Sequence, residues 1–381
     1  MPRAKKIKFC STCLETNLRP NAYFDKSNRC LACRYYSDFR EENRLQKLEY
    51  LKELIKKKKK ISRAKHHFDC IVGVSGGKDS TRQAHWVKER LGLNPLLVCV
   101  SYPPLQMSEV GAKNLSNLIS MGFDLFCLTP APKTSAALSL ESFTKFGNVC
   151  KSTEMALFSS VPRIAIDFGI NIIFWGENPA LIRGDSAVQG EDEFDGNNLR
   201  ELNTLRDGGY DWMKKVSSSD KVGHYFYPEE ELFNKKKISI FYLSPAWEDF
   251  TLHNNSLYAS LQGLTLRPDE ELITGDISNA SMLDEEFTNI NYMIRFYKYG
   301  IGRAADFLSE KIREKLISKE EASGIANQYD GICDDSIIKE YCKYVNIKED
   351  FFWETVNKFT NKELFKLNKN KRPQKLFNSG G

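Results

Sequence analysis

The chain has 381 residues, enough for two or three domains, with 55 basic and 50 acidic residues and a net charge of +5. A charge this nearly balanced does not indicate a polyanionic partner. No apolar run is long enough to span a membrane, and the first six residues lack the apolar stretch of a secretory signal. We therefore expect a cytoplasmic protein with no membrane span. Ten cysteines in such a chain favour metal ligation or buried thiols over disulfides.

Two cysteine pairs stand near the N-terminus, Cys10-x-x-Cys13 and Cys30-x-x-Cys33, with sixteen residues between them. Each pair makes a tight turn that directs two thiolates toward one ion, and this separation is typical of a four-cysteine zinc site. A redox pair is the alternative interpretation. We predict a zinc ribbon over residues 1–40, with a structural Zn²⁺ and no catalytic role.

The next stretch, residues 41–66, is highly charged and contains the run Lys56 to Lys60. Leucines at three-residue spacing, from Leu45 to Leu54, indicate an amphipathic helix. The lysine run is compatible with RNA contact, but such runs more often form a solvated face or linker. We predict a basic helical linker and do not expect nucleic acid as a partner.

From residue 67 to about 250, short apolar runs alternate with helical patterns. The runs lie at 70–74, 96–100, 124–128, 171–175 and 238–243. This alternation predicts an α/β domain with a parallel sheet and helices on both faces. The polar turns at 75–80, 101–104, 129–132 and 176–178 all follow strands. Because ligands bind such sheets at the carboxyl ends of the strands, we expect a single site there.

The most informative turn is Ser75-Gly76-Gly77-Lys78-Asp79-Ser80, which lies between the first apolar run and a helix that ends at Gly92. A glycine turn from a strand into a helix exposes backbone N–H groups and the positive helix end to one point, which suits a phosphate. It is not a Walker A loop, since valine stands at position 72, where that motif requires glycine.

This hexapeptide resembles the loop of the PP-loop ATP pyrophosphatases, whose fold is similar to that of adenine nucleotide alpha hydrolases. The resemblance implies that ATP is cleaved to AMP and pyrophosphate. It also implies that the loop holds the β- and γ-phosphates and that the end of the second strand contacts adenine. The predicted ATP-binding residues are Ser75, Gly76, Gly77, Lys78, Asp79, Ser80, Val100, Ser101, Tyr102 and Gly176.

The rest of the chain is less regular. Residues 183–237 are rich in glycine and charge, which predicts a long mobile loop inserted beside the site. A helix is expected from about Ser152 to Phe168, bent or split by Pro162. A mainly helical region is expected over 251–368, followed by a disordered tail over 369–381.

The motifs together resemble the N-acetyl sugar amidotransferase family of surface-polysaccharide and nonulosonic acid biosynthesis, including lipopolysaccharide and O-antigen synthesis. The resemblance implies conversion of an N-acetyl group to an acetamidino group, with ATP and with ammonia from a separate glutaminase subunit. One departure is the order Pro245-Ala246-Trp247, where the family usually has Pro-Trp-Asp. The segments that carry the resemblance are the cysteine pairs, 74–81, 91–98, 101–104, Gly147-Asn148, 161–163, 176–181, 302–306 and 329–331.

Within that interpretation, individual residues receive expected roles. Lys78 would hold the departing pyrophosphate, and Asp79 would bind Mg²⁺, since a hard ion that bridges phosphates prefers carboxylate oxygen. Glu177 and Asn178 lie where the substrate or ammonia should meet the α-phosphate, although a capping role for the next turn is the alternative. The predicted contacts to a nucleotide-linked N-acetyl sugar are Lys151, Glu154, Arg163 and Arg303, with Asp306 a weaker candidate. The alternative interpretation of Lys151, Glu154 and Arg163 is that they form an ordinary charged helix face.

Two other functions remain open at this point. A tRNA thiolation enzyme also combines a zinc ribbon with a PP-loop, but that chemistry usually needs a cysteine pair near the site. Here only Cys150 stands in the corresponding region, followed by Lys151-Ser152-Thr153. A non-catalytic nucleotide-binding scaffold is the second alternative, which the intact loop disfavours.

Overall fold

The protein is described here by a computed structural model covering residues 6–38, 44–59, 67–104, 106–247, 249–268 and 275–381. Its centre is a five-stranded sheet in the order β3-β2-β1-β4-β5, in which every neighbouring pair is parallel. The strands are β1 (Cys70–Val74), β2 (Pro95–Val100), β3 (Leu125–Leu128), β4 (Ile172–Trp175) and β5 (Ser239–Tyr242), with a separate antiparallel pair β6 (Phe365–Leu367) and β7 (Pro373–Lys375).

The helices are α1 (Leu31–Asp38), α2 (Arg44–Lys59), α3 (Lys78–Leu91), α4 (Glu109–Ser120), α5 (Pro132–Phe146), α6 (Lys151–Phe168), α7 (Pro179–Arg183), α8 (Asn203–Arg206), α9 (Asp211–Val216), α10 (Ser219–Val222), α11 (Glu230–Lys236), α12 (Leu252–Leu261), α13 (Phe287–Tyr299), α14 (Arg303–Arg313), α15 (Lys319–Tyr329), α16 (Asp335–Tyr344) and α17 (Glu349–Phe359). No helix within the described ranges has the length and apolar character needed to cross a bilayer.

The sheet is buried on both faces, because successive side chains of a strand point in opposite directions. On one face Val72 packs with Leu51 of α2 and Ala84 of α3. On the other face Ile71 packs with Met155 of α6. This sandwich confirms the predicted fold class, a parallel α/β domain with an N-terminal cysteine cluster and a helical C-terminal region.

The predicted basic linker is described only over α2, since 41–43 and 60–66, including Lys60 of the lysine run, lie outside the described residues. Within α2, Leu51 and Ile55 are buried against the sheet, so this helix is part of the core of the domain.

The stretch 183–237 is packed, where the sequence predicted a mobile loop. Its short helices and turns place Trp212, Met213, Tyr225 and Phe233 in the core cluster on the α6 side of the sheet. Trp212 and Tyr225 are each 1% exposed. The segment is ordered despite its glycine-rich composition, because burying the apolar area of these four side chains stabilises its packed conformation.

Helix α6 runs unbroken through Pro162, so of the two predicted effects of this proline, splitting the helix is wrong. The residues expected as a disordered tail, 369–381, contain strand β7 and a segment in which the Ser379 N–H donates to Asn327 Oδ1 at 2.9 Å. The end of the chain packs on the ribbon, because a Cβ placed on Gly380 would lie 2.9 Å from Leu14. Tertiary contacts therefore order a stretch whose own composition predicts disorder.

The C-terminal region docks on the sheet domain through residues 281–286. Glu285 forms a bridge with Met107, and the Ser108 N–H donates to the Asp284 carbonyl at 3.1 Å. Gly111 permits this close approach, since a Cβ there would lie 2.6 Å from the Asp284 Cα. This docking brings the C-terminal region to the carboxyl edge of the sheet.

Candidate functional site

A cavity of about 410 Å³ opens at the carboxyl ends of β1, β2 and β4. Its walls come from the Ser75–Ser80 turn, from Val100 and Tyr102 after β2, and from Gly176 and Glu177 after β4. The polar turns after these three strands thus meet at one edge of the sheet.

The Ser75–Ser80 turn is built as an anion cradle. Gly76 has φ +81°, a left-handed conformation that favours glycine, and a Cβ there would lie 3.1 Å from the Leu115 nitrogen. Ser80 Oγ accepts from the Ser75 N–H at 3.3 Å and donates to the Gly77 carbonyl at 3.1 Å, which holds the turn closed. Helix α3 begins at Lys78, so its first N–H groups have no acceptor within the helix. Such groups are available to phosphate oxygens.

Lys78 and Asp79 form a charged pair at this turn. Lys78 is 4% exposed, and its Nζ lies 2.7 Å from Asp79 Oδ2. Asn255 of α12 donates to Asp79 Oδ1 at 2.7 Å, and its own Oδ1 accepts from Arg82 Nη1 at 2.9 Å. Burial opposes ionisation of Asp79, but the Lys78 ammonium and the Asn255 amide outweigh it and lower the pKa. Asp79 is therefore a fixed carboxylate beside the cradle.

The far wall of the cavity comes from the C-terminal region, chiefly Ser281, Asp284, Tyr292 and Arg303. Arg303 is 4% exposed, donates to Ser281 Oγ, and lies 5.6 Å above the Tyr292 ring. Burial raises the pKa of Asp284, with the Tyr102 hydroxyl and Arg267 opposing the shift. The wall therefore brings a buried cation, a carboxyl group and an aromatic ring to the cavity, opposite the Ser75–Ser80 turn.

The predicted sugar-contacting residues separate into two pairs. Glu154 and Arg303 line the cavity. Lys151 and Arg163 do not, because Lys151 Nζ donates to the Thr204 carbonyl at 2.7 Å and Arg163 Nε to the Phe226 carbonyl at 2.7 Å. Both side chains hold the packed 183–237 stretch against α6.

Glu177 and Asn178, which follow β4 and Gly176, differ in their contacts. Glu177 lines the cavity and pairs with Arg183, whose Nη2 lies 3.2 Å from Glu177 Oε2. Asn178 is 2% exposed and caps α7 by accepting from the Ala180 N–H at 3.0 Å. Asn178 therefore caps the next turn, which was the alternative interpretation of these two residues. Of the two, only Glu177 lines the cavity. Of the other predicted nucleotide contacts, Gly76 and Ser101 lie beside the cavity lining without being part of it.

Sequence reasoning did not find Asn255, Arg183, Tyr292 or Asp284. Arg183 stands two residues beyond the segment Gly176 to Leu181, whose first three residues were already assigned to the site, so its proximity was a usable signal. The other three stand in helices or turns far from any strand end, and nothing local marks them.

The four N-terminal cysteines form a compact cluster. The sulfur atoms of Cys10, Cys13, Cys30 and Cys33 all lie within 4.8 Å of one another, and all four residues are buried. Backbone N–H groups point at the sulfurs, from Cys30 to Cys10 at 3.2 Å and from Glu15 to Cys13 at 3.5 Å. Four buried thiols this close fit one tetrahedral metal ion, whose charge would stabilise them as thiolates.

The sheet order and the Ser-Gly-Gly-Lys-Asp-Ser turn after β1 together define a parallel α/β domain whose candidate anion site lies at the carboxyl edge of its sheet. Residues 281–378 match the profile of a family described as "LPS biosynthesis protein WbpG-like, C-terminal domain". No curated protein is similar enough to the chain to count as a relative.

Solved structures similar to this chain include an NH₃-dependent NAD synthetase from Campylobacter jejuni, at 15% identity over 60% of this chain and 99% of that one, with a TM-score of 0.29. The U34-tRNA thiolase NcsA from Methanococcus maripaludis, which has a [4Fe-4S] cluster, is 14% identical over 70% and 79%, with a TM-score of 0.30. An NMN synthetase from Francisella tularensis is 18% identical over 58% and 98%, with a TM-score of 0.27.

Proposed function

We propose that this protein is an ATP-dependent amidotransferase of lipopolysaccharide biosynthesis that converts the N-acetyl group of a nucleotide-linked sugar to an acetamidino group. The observation that carries the proposal is a shared cavity. The PP-loop turn forms one side, and Ser281, Asp284, Tyr292 and Arg303, all within the stretch that matches the lipopolysaccharide family, form the other. A nucleotide on the first side and a sugar derivative on the second would meet inside it.

The proposed reaction overcomes the poor reactivity of an acetamide. The carbonyl oxygen of the N-acetyl group attacks the α-phosphorus of ATP, and pyrophosphate leaves with the electrons of the broken P–O bond. Ammonia then adds to the activated carbon, and AMP departs with the former carbonyl oxygen. The N-acetyl group has exchanged oxygen for NH, and two protons of ammonia have been released or transferred.

The residues of the PP-loop turn suit the first step. The free N–H groups at the start of α3 and the Lys78 ammonium would hold the pyrophosphate as its charge develops. Asp79 has the chemistry of a Mg²⁺ ligand, since its carboxylate lines the cavity beside the cradle. Mg²⁺ bound there would neutralise phosphate charge. The Asn255 contact keeps that carboxylate oriented.

The opposite wall suits the sugar. Arg303 offers a buried cation for an acidic group of the sugar, and the Tyr292 ring lies against that cation and helps to hold it in place. Glu177 and Glu154 lie between the two walls and accept hydrogen bonds from Arg183 and Thr204. The nitrogen would come from free ammonia or from a separate glutaminase subunit, and Zn²⁺ in the cysteine cluster would be structural.

A pyrophosphate-release assay tests the proposal, with ATP, Mg²⁺ and ammonium over a panel of nucleotide-linked N-acetyl sugars and, in parallel, bulk tRNA with a sulfur donor. Sugar-dependent pyrophosphate and AMP, with a product one mass unit lighter than the sugar, would support it. Turnover with tRNA alone would replace it with thiolation. Nucleotide binding without turnover on any substrate would favour a scaffold.

A further inference from the structure

A second, much smaller cavity adjoins the catalytic one. Its volume is about 40 Å³, above the ~10–15 Å³ that a cavity needs to hold one water-sized molecule. The two cavities share wall residues, among them Asp79, Glu177 and Arg303. The small cavity thus adjoins the place where pyrophosphate would leave and has room for one small molecule.

The outer wall of the small cavity comes from the ribbon and from one face of α14. Glu15 and Arg19 of the ribbon line it, together with Asp306, Ser309, Glu310 and Arg313 of α14. Arg19 pairs with Glu15 at 3.1 Å and with Asp306 at 2.5 Å. Arg303, Glu310 and Arg313 add two further guanidinium groups and a carboxyl group to the lining.

Those three groups present both donors and an acceptor to the cavity. The Nε atoms of Arg303 and Arg313 are buried and have no acceptor among the described residues. Glu310 is 5% exposed, and its Oε2 accepts from the Leu252 N–H at 2.8 Å, which leaves lone pairs on the carboxylate. Buried donors of this kind normally have a partner, so we expect a small bound molecule in this cavity.

We propose that the small cavity binds the ammonia that attacks the activated sugar, an inference that rests on the proposed function. Ammonia matches the cavity in size, and its three N–H groups and one lone pair match a wall with a carboxylate acceptor and guanidinium donors. Only neutral ammonia has the lone pair that attacks carbon, and in the cavity that lone pair would accept from a guanidinium N–H.

The test fills the cavity without touching the catalytic one. Ser309 lines only the small cavity, and its Oγ accepts from the Leu14 N–H at 3.2 Å. Ser309→Val would block the space, and Ser309→Ala is the matched control because it loses the same hydrogen bond but leaves the space open. Glu310→Gln is the second variant, since a carboxamide oxygen still accepts from Leu252.

Two activities are compared in each variant: sugar-dependent exchange of labelled pyrophosphate into ATP, which needs no ammonia, and amidine formation over a range of ammonium chloride. We expect exchange within about twofold of wild type in all three. We expect the KM for ammonium to rise about tenfold in Ser309→Val and Glu310→Gln, the effect of one lost hydrogen bond, and to change little in Ser309→Ala.

An unchanged KM for ammonium in both Ser309→Val and Glu310→Gln would overturn the inference, as would an equal rise in Ser309→Ala. If Ser309→Val loses exchange as well, Glu310→Gln decides alone. Absence of sugar-dependent exchange in the wild-type protein would instead refute the proposed function, so the two failures are distinguishable.

Discussion

The side-chain amide of Asn255 donates a 2.7 Å hydrogen bond to Oδ1 of Asp79, although 176 residues separate the two. Asn255 is completely buried, and Arg82 holds its other end. Asp79 Oδ2 is meanwhile occupied by Lys78. The orientation of the carboxylate is therefore set by a helix distant in sequence as well as by its own turn.

Replacing Asn255 should disturb the site through Asp79. We expect Asn255→Ala to lower pyrophosphate release about tenfold and to destabilise the protein by about 1–3 kcal/mol, because Arg82 and Asp79 each lose a buried partner. The control is Asn254→Ala, since Asn254 donates to the Asp249 carbonyl and does not contact Asp79. Equal activity in the two variants would show that the contact does not position Asp79.

Removing the charge of Asp79 should stop the chemistry. We expect Asp79→Asn to lower the rate of pyrophosphate release by about 10²–10³-fold, which is typical of losing one preorganised charged group. Asp211→Asn makes the same change at an exposed side chain and should be silent. Activity of Asp79→Asn within a few-fold of wild type, measured at saturating ATP and Mg²⁺, would exclude Asp79 as a metal ligand.

The cysteine cluster should hold one zinc ion per chain. We expect Cys13→Ser to lose that ion in elemental analysis and to lower the Tm, by on the order of 5 °C or more, because the ribbon packs against α14 and the C-terminus. Cys333→Ser, a partly exposed cysteine outside the cluster, is the control. Four iron atoms per chain with visible absorbance would instead indicate an iron–sulfur cluster.

Stability should also depend on the protonation of Glu285. Burial, with Asp284 adding to it, raises the pKa of Glu285 to about 8. The folded state then holds a proton that the unfolded state releases above about pH 4.3, so stability is greatest below that pH and falls as pH rises to about 8. Glu285→Gln stays neutral and should lack this loss, which is on the order of 2 kcal/mol or more.

Urea denaturation at pH 5 and pH 8 measures that difference. Glu340→Gln, at an exposed position, should keep the wild-type pH dependence. If Glu285→Gln and wild type lose stability in parallel between the two pH values, Glu285 is ionised in the folded protein at both.

The sequence was informative where structure is decided locally. The apolar run before Ser75, the two glycines and the helix formers after Asp79 determine a strand, a turn and a helix within about 20 residues. The cysteine spacing likewise specifies its own turns. Because carboxyl ends of parallel strands share an edge, the position of the cavity followed from the alternation of elements.

Contacts distant in sequence were not predictable in the same way. Asp284 and Tyr292 line the cavity because the C-terminal region docks over Gly111, and Asn255 of α12 contacts Asp79. No local pattern encodes either contact. Lys151 and Glu154 are both polar residues of α6, and only the packed 183–237 stretch decides that Lys151 turns toward the Thr204 carbonyl. The same stretch was predicted as mobile because its composition is loop-like, while its few large apolar residues determine its packing.

The most direct test of the central claim follows the oxygen of the N-acetyl group. The protein would be given ATP, Mg²⁺, ammonium chloride and a nucleotide-linked sugar labelled with ¹⁸O in that carbonyl, and the products analysed by mass spectrometry. Adenylation followed by attack of ammonia predicts one ¹⁸O atom in AMP, none in pyrophosphate, and an unlabelled acetamidino product. Recovery of the label in pyrophosphate or inorganic phosphate, or its retention in the sugar while AMP forms, would contradict the mechanism.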